Sequence, residues 1–101
     1  MSARRLSLPA GELKDMRSFK KRASPFFILR ARPNLLGHVR FAVVIGTKVD
    51  LRSTARNRMK RKVSERLRNI RQGQDIIMNI LPPAKILGRA AFSEEVEKIL
   101  S

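Results

Sequence analysis

The side chains of this sequence that could do chemistry are mostly cations, and their spacing is informative. Asn57, Arg61, Ser64 and Arg68 recur at i, i+4, i+7 and i+11, so on a helix they form one polar row, with Arg58 beside it. Guanidinium groups offer a planar fork of donors that matches phosphate oxygens. Asn57 can both donate to and accept from a base edge or a ribose hydroxyl. The same sequence offers little for bond-breaking chemistry of its own. General acid–base catalysis needs a positioned pair of titrating groups. His38, the single histidine, sits beside Gly37 and near Arg40 with no acid close in sequence, and reads as an exposed turn residue. Asp15, Asp50 and Asp75 show no metal-ligand spacing, and Asp50 is placed to cap or pair with Arg52. With no cysteine, disulfides, thiolate zinc sites and cysteine nucleophiles are excluded.

Lys and Arg total 23 against 8 Asp and Glu, a formal net charge of +15 on 101 residues. A charge of that size repels itself on compaction and points to a polyanionic partner. It is also unevenly placed. Residues 1–72 hold 20 basic and 4 acidic residues, whereas residues 73–101 hold 3 and 4. Residues 52–71 alone carry nine basic residues and one acid, Glu65. A merely solvated face mixes signs, because like charges one turn apart destabilise a helix. A membrane-surface helix would need bulky anchors on its apolar side. No apolar run reaches the roughly 18 residues that span a bilayer. Neither a helix-turn-helix pair, nor zinc-finger ligands, nor heptads argue for DNA. The basic start reads as a flexible arm over residues 1–12, with an organellar transit peptide as the weaker reading.

These residues need a scaffold. Leu13, Met16 and Phe19 predict a short helix within Gly11–Arg22, closed by Pro25. Phe26–Leu29 reads as a strand, Pro33-Asn34 and Gly37 as a turn, and the alternation over Val39–Ile45 as a second strand. Their closeness suggests an antiparallel hairpin. Ala55, Met59, Val63, Leu67 and Ile70 then cover about 120° of a helical wheel. That helix is expected to be capped by Ser53 or Thr54 and ended by Gly73. Asp75–Leu81 reads as a short buried strand stopped by Pro82-Pro83, and Ser93-Glu94-Glu95 as the opening of a last helix. The expected fold is α+β: a small, mainly antiparallel sheet with helices on one face, in the order α-β-β-(β)-α-β-α. Phe19, Phe26, Phe27 and Phe41 lie near the proposed hairpin, where an aromatic ring could stack an unpaired base or simply fill the core.

The run Arg56-Asn57-Arg58-Met59-Lys60-Arg61 resembles the Arg-Asn-Arg-x-Lys-Arg signature of the bacterial ribonuclease P protein subunit. The likeness extends to Phe27-Ile28-Leu29, to Arg40–Val49, to Gly73–Ile77 followed by Pro82, and to Phe92–Glu95. The resemblance implies one RNA-binding domain over 1–101, with the fold shared by the second domain of a small-subunit ribosomal protein and a left-handed βαβ crossover. It implies a subunit that binds a catalytic RNA and the 5′ leader of precursor tRNA and assists endonucleolytic removal of that leader. In such an enzyme the RNA and substrate hold the Mg²⁺ ions and the protein supplies no catalytic residue. It assigns RNA contacts to Lys48, Arg52, Arg56, Asn57, Arg58, Lys60, Arg61 and Arg68, and leader contacts more weakly to Phe19 and Phe27. It implies a cytoplasmic protein with no membrane or DNA partner. Ser64 and Asp50 depart from the family's usual Arg and Gly, the loop from Asp50 to Ala55 is one residue longer, and Leu13 and Met16 replace an aromatic pair. Two other readings stay open: a structural RNA-binding protein such as a small ribosomal component, and an autonomous nuclease.

Overall fold

The computed structural model describes Leu8 and residues 18–101. Its elements run β1 (Lys20–Ala23), β2 (Phe27–Pro33), β3 (Arg40–Ile45), α1 (Ser53–Arg68), β4 (Gln74–Ile80), a 3₁₀ turn (Pro82–Ile86) and α2 (Arg89–Leu100). The four strands form one sheet in the order β1-β2-β4-β3. β1 and β4 each pair antiparallel with β2, and β3 runs parallel to β4. The fold is α+β with both helices on one face, as the pattern of residues predicts.

β4 is central because both of its faces are apolar. A strand buried on two sides reads as a near-continuous hydrophobic run. Ile76, Met78 and Ile80 point into the main core with Phe27, Leu29 and Phe41 of the neighbouring strands and with Val63, Leu67, Phe92, Val96 and Ile99 of the helices. Ile77 points the other way, into a smaller cluster with Leu8 and Phe19. β4 therefore lies between β2 and β3, and the expected β2–β3 hairpin does not form. The hairpin present is β1–β2, closed at Ser24, whose Oγ accepts hydrogen bonds from the amides of Phe26 and Phe27. The helix expected within Gly11–Arg22 gives way at its end to a strand. Lys20–Arg22 belong to β1, and Gly11–Arg17 lie outside the described residues. At Leu8 the expected flexible arm is docked: the amide donates to the Phe41 carbonyl (3.0 Å) and the side chain is buried.

The other boundaries move for local reasons. α1 starts without a side-chain cap, with Arg52 at the N-cap position, and ends at Asn69 rather than Gly73. Gly73 serves a close approach instead, since a Cβ there would stand 2.7 Å from Asn34 Oδ1. α2 begins four residues before Ser93, so its first turn carries no acid. Phe92, at the fourth position of α2, meets Phe27 edge-to-face at 5.4 Å between centroids.

One buried ion cluster ties three strands together. The register sets both Arg32 and Arg40 directly across from Asp75. Arg40 grips the Asp75 carboxylate with two hydrogen bonds of 2.9 Å, Arg32 adds one of 3.2 Å, and Asn34 donates a fourth at 2.9 Å. Burial alone would raise the Asp75 pKa. The donated hydrogen bonds outweigh it and hold the carboxyl below its ordinary value of 3.8. A depressed native value means the group stabilises the fold above the unfolded value and loses that contribution as pH falls through the native one. Asp75→Ala would strand two partly buried guanidinium groups and is expected to cost about 3 to 5 kcal/mol at neutral pH. Urea unfolding from pH 7 to pH 2 checks this, and the variant's stability should decline less steeply on acidification than that of the parent.

Candidate nucleic-acid interface

α1 is oriented by its apolar stripe. Val63 and Leu67 are completely buried, while Ala55, Met59 and Ile70 are half-buried at the margins. Seating that stripe on the sheet turns Asn57, Arg61 and Arg68 outward into solvent, with Ser64 half-buried between them. Lys48, Arg58 and Lys60 are exposed as well. Among the described residues, none of these charged groups has an ion-pair partner and Asn57 has no side-chain hydrogen bond.

The remaining cations of the segment are engaged internally. Asp50, nearly buried, accepts from the Arg52 amide (2.9 Å) and from Arg52 Nε and Nη2 (3.2 and 3.0 Å), with Lys85 Nζ 3.8 Å away. Those hydrogen bonds from Arg52 hold the Asp50 carboxyl far below the usual carboxylate range. Arg56 is half-buried and donates to the carbonyls of Asp50 (3.1 Å) and Leu51 (3.4 Å), bracing the loop that feeds the helix. Asp50, which the sequence places as a partner of Arg52, thus organises the helix entrance. Arg66 pairs with Glu97 of α2, which raises the Arg66 pKa and lowers that of Glu97. The Lys62 ammonium lies 5.6 Å from the centre of the Phe92 ring. Of the eight assigned cationic and amide positions, six are exposed with no side-chain partner among the described residues, Arg52 is exposed but paired, and Arg56 is structural.

The two aromatic candidates do not share a site. Phe27 is wholly buried in the main core against Phe92. Phe19 is on the opposite face of the sheet, 8% exposed, with the Arg32 guanidinium 4.5 Å over its ring. Neither ring is open for stacking, and nothing in their sequence neighbourhood distinguished a core ring from a free one. Sequence reasoning also missed the cationic layer of the open sheet face. Arg30, Arg32 and Arg40 alternate there with inward apolar residues, and Arg30 donates to Asn79 Oδ1 at 3.3 Å. The period-two placement of Arg30 and Arg32 in β2 was the available signal.

The fold and site define a small α+β protein that presents a cationic helix face with no acidic partner among the described residues. The family profile described as Ribonuclease P matches residues 13–101. The chain is 38% identical over 87 residues to the ribonuclease P protein component of Aromatoleum aromaticum, covering 83% of this chain and 71% of that protein. It is 45% identical over 76 residues to the component from Chromobacterium violaceum, covering 75% of this chain and 59% of that protein. Its structure resembles the RNase P protein of Staphylococcus aureus, with a TM-score of 0.83 at 21% identity over 98% of this chain and 94% of that one. The protein from Thermotoga maritima superposes with a TM-score of 0.75 at 25% identity over 97% and 93%. The chain belongs to the ribonuclease P protein component family, whose role is in tRNA processing.

If α1 is seated as described, side chains on its two faces respond differently to truncation. Leu67→Ala should cost about 2 to 5 kcal/mol, and Met59→Ala less, because that residue is only half-buried. Arg58→Ala and Arg61→Ala should stay within about 0.5 kcal/mol of the parent. Urea denaturation of the four variants measures the contrast.

Proposed function

We propose that this protein is the subunit of ribonuclease P that binds the catalytic RNA and supports removal of the 5′ leader from precursor tRNA. The observation that carries the proposal is the free, outward row on α1, since a helix anchored by one face with unpaired cations on the other suits a phosphate backbone. Arg58, Lys60, Arg61 and Arg68 neutralise phosphates, and Asn57 supplies a directional contact that a lysine could not. Lys48 and the exposed Arg52 extend the row at the helix entrance. Arg56 contributes by holding that entrance in shape.

In this reading the chemistry belongs to the RNA, which holds the Mg²⁺ ions together with the substrate. The protein's own carboxylates have other uses: Asp50 and Asp75 are each bound to arginine. What the protein adds is positive potential, which lowers the concentration of free cations the RNA needs in order to fold and to hold its substrate. No helix among the described residues is long and apolar enough to cross a membrane. A cytoplasmic site of action accords with a tRNA precursor as substrate.

Reconstitution at low Mg²⁺ with a bacterial ribonuclease P RNA and a precursor tRNA tests the proposal. Cleavage should depend on the protein, and independence from it would refute the reading. With about five phosphate contacts, log affinity for the RNA should fall against log salt with a slope near −3.5 to −4.5. Arg61→Ala should make that slope shallower by about one unit. An unchanged slope in filter-binding titrations would show that the row faces solvent rather than RNA.

A further inference from the structure

A second basic surface lies beyond the C-terminal end of the α1 row. The strands β1 and β2 and the ends of both helices enclose an open groove of about 860 Å³, a size within the range of ligand-binding clefts. Leu29 and Ile76 lie beneath it, and half-exposed Ala31, Ile70 and Leu100 line its floor. Among the described residues its lining includes five cations and no acid, with the amides of Asn69, Gln72 and Gln74 between them. Three of those cations are engaged within the protein: Arg32 turns its guanidinium to Asp75 and the Phe19 ring on the other side of the sheet. Arg22 donates to the carbonyls of Ile99 (3.3 Å) and Ser101, and Arg66 pairs with Glu97. Lys20 and Arg71 are exposed and have no partner among the described residues.

From this arrangement we infer that the groove binds a single-stranded segment of RNA, with Lys20 and Arg71 holding its phosphates. The inference rests on the RNA-binding reading above and adds a site to it. Three features favour this occupant. Its charged side chains are all cations, and Lys20 and Arg71 among them have no partner among the described residues, which favours a polyanion. The floor is apolar, and only an unpaired base has a face free to lie against it. The position adjoins α1: the row from Asn57 to Arg68 spans roughly 16 Å of helix, and the groove is lined by Arg66 in the last turn of α1 and by Asn69 to Gln74 just beyond its end. A strand tracking the row therefore arrives at the groove. Because the floor is aliphatic, contacts there tolerate any base. Asn69 and Gln72 provide the groups able to touch base edges.

The test uses the full chain, a fluorescein-labelled 12-nucleotide oligouridylate and a fully paired RNA hairpin, with polyglutamate as competitor. Lys20→Ala/Arg71→Ala changes two exposed residues and should unfold at the same urea concentration as the parent. It should bind the oligouridylate about 10-fold more weakly, with a salt slope shallower by about 1.4, the value for two lost single-strand phosphate contacts. Its affinity for the hairpin should change less than 3-fold. An unchanged affinity for the oligouridylate would overturn the inference. So would an equal loss on the hairpin, or polyglutamate displacing the oligouridylate from the parent but not from the double variant, which would mark the groove as a seat for an acidic protein. Arg61→Ala, measured in parallel, separates the two failures. If it weakens RNA binding while the double variant does not, only the groove falls. If neither does, the RNA-binding reading falls with it.

Discussion

Seating Val63 and Leu67 against the sheet is the constraint from which the rest of the molecule follows. Both side chains are completely buried, and each buried aliphatic group contributes roughly 1.5 to 3 kcal/mol. Exposing them to rotate the helix would forfeit more stability than any surface ion pair could return. The stripe therefore fixes the angle of α1 about its axis, and the geometry of a helix then dictates where Asn57, Arg61 and Arg68 point. Rigid presentation of a cationic row needs no preorganising hydrogen bonds among the arginines themselves. It needs only a well-packed opposite face.

A chain with a net charge of +15 must still fold against its own repulsion, and its few acids are placed accordingly. Asp75 binds Arg32 and Arg40 between three strands, Asp50 binds Arg52 at the helix entrance, and Glu97 joins α2 to Arg66. Glu95 pairs with Lys98 within α2. Each of these carboxylates neutralises a cation that the scaffold uses, and none reaches the α1 row. Glu65, the acid within α1, is exposed and forms no ion pair among the described residues. Among the described residues, charge compensation is thus confined to the framework, which leaves the row's potential directed into solvent.

The elements that position the row were legible because their signals are local. A period-four apolar stripe and a period-two alternation give α1 and β3 from nearest-neighbour chemistry alone. β1 was not legible, because Lys-Lys-Arg-Ala has no apolar face. It is a strand only because β2 offers it an edge, and its lysines suit an edge that must not pair further. Strand order was misjudged from proximity in sequence, although the unbroken run Ile76-Ile77-Met78 already indicated a strand covered on both sides. The start of α2 was misplaced for a related reason. Ser93-Glu94-Glu95 looks like a helix opening, yet Phe92 must already be helical to meet Phe27. In the candidate site, sequence could identify the row but not the partition within the segment. That Arg56 and Arg66 serve the protein depends on carbonyls and a carboxylate brought close by the tertiary fold.

The burial of Phe19 and Phe27 limits what kind of recognition this surface can perform. Stacking is the usual means by which a small protein discriminates unpaired bases, and here Phe19 and Phe27 are committed to packing. Guanidinium and ammonium groups on a rigid helix read phosphate spacing, which depends on how a nucleic acid is folded rather than on its letters. A surface built this way selects a partner by shape and charge, and its affinity for any RNA lacking the matching spacing should be weak and strongly salt-dependent. Selectivity for one RNA would then come from the rigidity of α1. Loosening the Asp50 clamp or the Val63–Leu67 seat would blur that selectivity without removing a single cation from the row.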